Sequence, residues 1–379
     1  MKNIFLMAVS LLLCVSCSNY AKTITVTNTL DFDRKGEIVE VPTSDLKANF
    51  ASKTYVLKND RGEEVGYQLI NNGSTLIFQV DVPAASFAVY TLSAGKPAPV
   101  DPKTAAFFVP DRKDDFAFEN DLAAYRMYGP ALAAENPSNG VDLWMKCTDK
   151  PIMRKFYDND LYHGKSYHVD HGEGLDCYKV AHTLGAGGIA PFIDGILYVG
   201  NHYSTYEILE QGALRSVFTL VYDLVEAGNN TYKQTLTITV DAGSPLNKAV
   251  VRYEGAENSI QLATGIFLHN IKAVNGIVYG SDDHNMIAYA EDATAEVGGL
   301  RAGRTYVGVV TPEKSVMWMD VLSATPHLAR ISDYQIGDEF VYYFGGAWNK
   351  WGFPTDNDWV TAMENFSKKI KNPLEITVE

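Results

Sequence analysis

Thr231 to Val240 reads TYKQTLTITV, and within it Thr235, Leu236, Thr237, Ile238, Thr239 and Val240 alternate polar and apolar without a break. A period of two sends successive side chains to opposite faces, so this is a half-buried strand of an antiparallel sheet. Comparable segments lie on either side: Ala105 to Val109, Val141 to Met145, Ile196 to Val199, Ser216 to Tyr222, Lys248 to Tyr253, Thr264 to Leu268, Gly276 to Tyr279, Arg304 to Val310, Ser315 to Val321 and Glu339 to Phe344. So many strands with so little helical signal between them predict an all-β fold of stacked or closed antiparallel sheets. One helix is expected, opening at Asp358 as N-cap, with Trp359, Val360, Met363, Phe366 and Ile370 on one face and Lys368 and Lys369 in its last turn. A strand, Leu374 to Val378, follows it.

Upstream, Thr23 to Leu92 consists of short β-rich pieces separated by the turn signals Asp60-Arg61-Gly62 and Asn71-Asn72-Gly73. That is the pattern of a small antiparallel sandwich, placed at residues 22–94. Pro97, Pro99 and Pro102 cannot continue a sheet, so residues 95–104 read as a linker. Residues 105–379 then form the large unit.

The chain begins MKNIFLMAVSLLLCVSCSN, with a lysine, an apolar run and small residues around Ser16 and Cys17. Residues 1–16 are expected to be an export signal, too short to span a membrane as a helix. Val15-Ser16-Cys17 has the form of a lipoprotein cleavage box, with Cys14 where a leucine is usual, so Cys17 is the expected lipidated residue. The protein is therefore expected at the outer membrane, on its periplasmic or cell-surface face, touching the membrane only through that anchor. Cys147 and Cys177 are the remaining cysteines, and two separate thiols are expected in preference to a bridge. A net charge of −14 with no strongly basic stretch argues against nucleic acid as a partner.

Chemistry concentrates between Tyr162 and Gly188, YHGKSYHVDHGEGLDCYKVAHTLGAGG, where four of the eight histidines and six of the thirty glycines fall. A titratable, Gly-rich, irregular segment in a strand-rich chain reads as a site-building loop. His168, Asp170 and His171 are near enough in sequence to meet at one divalent ion, although on a strand His171 would point away from the other two. Loop-fixing hydrogen bonds are a second reading of these residues. A third is general acid–base work, with His168, His171 and the flanking Tyr167 as the candidates and no cofactor required. Glu173 and Lys179 are candidate substrate contacts in the same segment.

Other candidates lie outside it. In DFAFENDLAAYRMYGP, residues 115–130, Asn120 is a candidate contact, and Arg126 either grips a substrate carboxylate or pairs with Glu119 or Asp121 inside the fold. His202 follows a strand. Trp348, Lys350 and Trp351 offer flat faces for sugar rings and a cation for an acid group, with core packing as the alternative.

Glu119-Asn120-Asp121 with Arg126 to Pro130, then His168 to Gly188, then Gly212 to Tyr222 together resemble the secreted polysaccharide-utilisation proteins catalogued as domain of unknown function 4861. The middle block, with Gly172 to Asp176 and Leu184 to Gly188, is the most specific part. The resemblance implies a β-supersandwich similar to those of galactose mutarotases and several polysaccharide lyases. It also implies an oligosaccharide partner, acidic in character. Proton abstraction next to a uronate carboxylate, by a lyase or dehydratase, fits these residues. A glycoside hydrolase using paired carboxylates (Glu173 with Asp176, or Glu119 with one of them) and a surface glycan-binding lipoprotein are the alternatives.

Overall fold

Alternation becomes burial in the strand Asn230–Asp241: Tyr232, Gln234, Leu236, Ile238 and Val240 are buried, and the residues between them are half-buried or exposed. It pairs antiparallel with Arg215–Ala227 on one side and Asn247–Glu254 on the other. In the computed structural model, which describes residues 20–293 and 302–379, these strands form the middle of an eight-stranded sheet. The expected export signal and Cys17 lie outside the described residues.

A five-stranded sheet built on Ala186–Ile193, Ser259–Phe267 and His327–Gln335 contributes the other half of the main core. Ile189, Leu262, Ile266 and Leu328 from it are buried in one cluster with Phe218, Leu236, Ile238, Val307 and Phe344 of the eight-stranded sheet. This is the large antiparallel β-supersandwich. Ala186–Ile193 corrects the expectation of a loop through Gly188. A Cβ at Gly187 would lie 2.4 Å from the Phe344 Cβ, so the glycine lets this strand approach a strand of the opposite sheet.

The small N-terminal sandwich has its own core, with Ile24, Val26, Val41, Leu57, Phe78, Val80 and Leu92 buried together. The expected boundary at the far end of the chain is corrected. Glu375–Val378 does not stay with the large unit; it pairs with Ala21–Asn28, Ile24 opposite Val378. Residues 95–104 carry no strand.

Two helices matter for the site and its support. The C-terminal helix, Asp356–Lys371, starts earlier than expected: Thr355 is the N-cap, and its side chain and that of Asp358 cap each other's backbone N–H groups. Its buried Trp359 and Met363 pack with Met286, Ala288, Tyr306 and Val310 of the eight-stranded sheet. The helix Met153–His163 was not expected. Its Met153, Phe156 and Tyr157, spaced i, i+3, i+4, are buried against Trp144, Ala117 and Tyr167. Glu119, from a strand, accepts hydrogen bonds from the Ile152 and Met153 N–H groups at 2.8 and 2.9 Å, so a distant carboxylate caps this helix. Cys147 and Cys177 are separate thiols.

Trp359 is fully buried and its indole N–H donates to the Val307 carbonyl at 3.1 Å. Trp359→Ala is expected to cost about 3–5 kcal/mol in denaturant unfolding. A loss below about 1 kcal/mol would show that the helix is not anchored there.

Candidate functional site

Asp115–Glu119, Ala124–Met127, Val141–Lys146 and Gly174–Asp176 are neighbours in a second five-stranded sheet. Its register sorts the side chains. Arg126 lies opposite both Ala117 and Asp142, and Trp144 lies opposite Asp176. One face therefore carries Phe116, Phe118, Tyr125, Leu143 and Leu175 into the main core. The other face carries Asp115, Arg126, Asp142, Trp144 and Asp176, all buried.

Arg126 is the hub of that polar face. Its Nε donates to Asp142 Oδ2 at 2.8 Å, Nη2 to Asp176 Oδ2 at 2.9 Å and Nη1 to Asp115 Oδ2 at 3.5 Å. The guanidinium also stands 4.7 Å from the Tyr128 ring centroid and 5.0 Å from that of Trp144. One buried cation cannot neutralise three buried carboxylates. Asp142, at 2.6 Å from Nη2, takes most of its field. Burial, and then the charge of Asp142, push the Asp176 carboxyl well above the ordinary carboxylate range despite Arg126. Burial also raises Asp115, opposed by Arg126 and Arg112.

This face opens into a cavity of about 270 Å³ lined by Arg112, Arg126, Tyr128, His168, Asp176 and Lys179, among others. His168 is 48% exposed in its side chain, and its Nδ1 lies 3.1 Å from the Asp176 carbonyl oxygen. A carbonyl only accepts, so Nδ1 carries a proton, and Nε2 is the ring nitrogen without a protein partner among the described residues. Nδ1 is also 3.6 Å from Asp176 Oδ2. Arg112 donates through Nε to the Tyr167 hydroxyl at 3.1 Å, and its terminal nitrogens have no partner among the described residues. Tyr128 stays a phenol, because burial and the neighbouring Asp142 hold its proton firmly.

The structure thus brings His168, Lys179 and Arg126 to one cavity, but Arg126 is fully engaged by aspartates and cannot read a substrate carboxylate. Pairing inside the fold was the right half of that expectation, with different partners: Glu119 caps a helix, and Asp121 accepts from the Gly243 N–H. Tyr167 is buried behind the cavity, accepting from Arg112 and, at 3.4 Å, from Arg126. The other candidates stand elsewhere. His171 is exposed and its Nε2 faces the Ser166 carbonyl at 3.0 Å, fixing the loop. Asp170 accepts from the Gly172 N–H at 2.8 Å. His168, Asp170 and His171 therefore face three different partners, and no group of three metal-binding side chains occurs among the described residues.

Asn120 is spent on the turn between two strands, donating to the Asp241 and Ser244 carbonyls and accepting from Leu122 and Ala123. Glu173 pairs with Lys155 at the surface. His202 is half-buried, and burial lowers its pKa against a hydrogen bond with the Ser138 backbone. Trp348 is core: it is 1% exposed and its indole donates to the Ala302 carbonyl. Lys350 sits over the Trp348 ring at 4.3 Å and 3.8 Å from Asp170, and Trp351 donates to the Asp121 carbonyl at 2.9 Å. These three close a turn, with the Trp348 face buried in the core. Arg112 and Tyr128 are among the cavity residues that sequence reading missed.

The chain belongs to the family described as domain of unknown function (DUF4861), which it matches over residues 26–376. Uncharacterized protein P7 of Formosa agariphila is 27% identical over 395 residues, covering 97% of this chain and 95% of that protein. Among solved structures, a glycosyl hydrolase family 38 protein from Enterococcus faecalis aligns with a TM-score of 0.45 at 7% identity, over 95% of this chain and 47% of its own. The GH36 α-galactosidase AgaA of Geobacillus stearothermophilus aligns with a TM-score of 0.32 at 10% identity, over 62% and 41%. This chain spans about half the length of these solved structures or less.

Removing the hub leaves three buried acids without their cation, so Arg126→Gln is expected to destabilise the fold by about 3–5 kcal/mol in denaturant unfolding. The raised carboxyls set a pH dependence. Their stabilisation is fully present below the ordinary carboxyl value, near pH 4, and is lost as pH rises through the raised folded value. Asp176→Asn keeps the neutral form at every pH. Its melting temperature should fall less than that of the wild type between mildly acid and alkaline pH, and parallel curves would contradict the assignment.

Proposed function

We propose that this DUF4861 member is a carbohydrate-active enzyme that acts on uronic-acid-containing oligosaccharides by proton abstraction and elimination, as a lyase or dehydratase. The observation that carries the reading is the orientation of His168 at the cavity. Its Nδ1 is committed to the Asp176 carbonyl, so Nε2 is the ring nitrogen left for a substrate at a cavity that also holds the Arg112 guanidinium and the Tyr128 phenol.

His168 takes the proton from the carbon that bears the carboxylate. The electron pair left behind forms the new double bond as the neighbouring carbon–oxygen bond breaks. Tyr128, a cavity residue, donates its phenolic proton to the leaving oxygen as negative charge builds there, and solvent later exchanges the protons back. Arg112 faces the substrate carboxylate and offsets the enolate-like charge that develops there. Tyr167 and Arg126 are positioning residues: the first holds Arg112 and the second holds Asp176. The residues described need no metal for these steps. The proposal includes export and lipidation at Cys17.

Asp176 is the only carboxyl that lines the cavity among the described residues. A hydrolase of the usual kind needs two facing each other, which weighs against that alternative. A binding-only lipoprotein is separated by experiment. Incubation with uronic-acid oligosaccharides is expected to raise the ultraviolet absorbance of a conjugated unsaturated uronate. His168→Asn, at a half-exposed position, should keep the fold and lower kcat by roughly 10²–10⁴-fold. Binding of the oligosaccharide by folded protein with no absorbance rise would replace the enzyme by the glycan-binding reading.

A further inference from the structure

A second cavity, of about 500 Å³, opens on the far side of Lys179 and is lined by Phe267, His269, Ile271, Lys272, Ala324 and Pro326, among others. Lys179 and Ala181 line both cavities, so the short segment between them is a ridge common to the two. We propose that this second cavity binds the sugar ring joined to the uronate, so that the substrate lies across the Lys179–Ala181 ridge with one ring in each cavity. The inference rests on the uronate reading of the first cavity and extends it to the size of the substrate.

The lining suits a pyranose. Phe267 is half-buried and brings an aromatic ring to the lining, the kind of group on which the C–H side of a sugar ring packs, while the exposed Lys272 supplies donors for its oxygens. The aromatic is set at the end of the strand Ser259–Phe267, so it is placed by a sheet and not by a loop.

The ridge is also held in place from behind. His269, 8% exposed, faces the Lys179 carbonyl through Nε2 at 2.7 Å and Glu291 Oε1 through Nδ1 at 2.7 Å. Glu291 is 1% exposed and belongs to the strand Met286–Asp292 of the eight-stranded sheet. A buried carboxylate and imidazole thus tie the ridge backbone to the rigid core. Tyr178, which lines the first cavity, donates through its hydroxyl to the Phe267 carbonyl at 3.1 Å, and its ring lies 4.8 Å from that of His269. The walls of the two cavities are therefore bonded to one another. Ala181 adopts a φ of +55°, in the left-handed region that alanine rarely occupies, at the point where the ridge turns between the cavities.

The test uses Ala324→Trp, a bulky group at an exposed loop position that lines the second cavity and not the first. Elimination and binding are measured with a uronic-acid disaccharide and with a one-ring methyl uronide, and Lys272→Ala serves as a second exposed variant. Expected is a fall of about tenfold or more in the ratio of kcat/KM for the disaccharide to kcat/KM for the one-ring substrate, with Ala324→Trp the stronger of the two. An unchanged ratio in both variants overturns the second site while leaving elimination standing. If the wild type binds the disaccharide but forms no unsaturated product, elimination falls. The second site is then judged by affinity: weaker calorimetric binding in Ala324→Trp upholds it and equal binding overturns it. Absence of binding of either sugar by the wild type overturns both.

Discussion

One buried guanidinium facing three buried carboxylates organises this protein's candidate site. Arg126 is reached by Asp115, Asp142 and Asp176 from three other strands of the same sheet, and antiparallel register alone brings them there. The excess of acid over base is the source of the chemistry. With Asp142 holding most of the cation's field, burial and the charge of Asp142 raise the Asp176 carboxyl well above the ordinary carboxylate range. Its backbone carbonyl orients His168, so one residue ties the candidate base to the Arg126 cluster.

The same sheet explains why such an expensive cluster is tolerated. Its opposite face is apolar and continuous with the main core, which supplies the burial energy. The polar face is covered by Trp144, Tyr157 and Tyr167 and by the helix Met153–His163, whose N-terminus is capped by Glu119 from the same sheet. Aromatic rings against the guanidinium keep water away without adding competing charges. The cavity remains the opening through which Arg112, Tyr128, His168 and Asp176 meet solvent.

The all-β class, the small sandwich and the C-terminal helix were legible because period-two alternation and turn residues act locally. The helix Met153–His163 was overlooked although Met153, Phe156 and Tyr157 show its spacing; its start is marked by no local cap, since Glu119 comes from more than thirty residues away. Ala186–Ile193 looked like a loop because its glycines serve contact with Phe344, which no local pattern reveals. In the site, His168 and Lys179 stood out by composition. Arg126 was seen, but its role depends on three aspartates gathered by pairing of strands. Arg112 sits just upstream of the conspicuous block with nothing in its neighbours to mark it. Trp348 was open to a better reading: in Phe340–Trp348 it shares parity with Phe340, Tyr342 and Phe344, which places it on the inward face.

The most direct measurement is a crystal structure of the His168→Asn protein soaked with a uronic-acid oligosaccharide. The expected result is a uronate carboxylate on the terminal nitrogens of Arg112, with its carboxylate-bearing carbon facing position 168. Sugar density confined elsewhere, such as the cavity between the two sandwiches lined by Arg215 and Lys369, would contradict the assignment of the site.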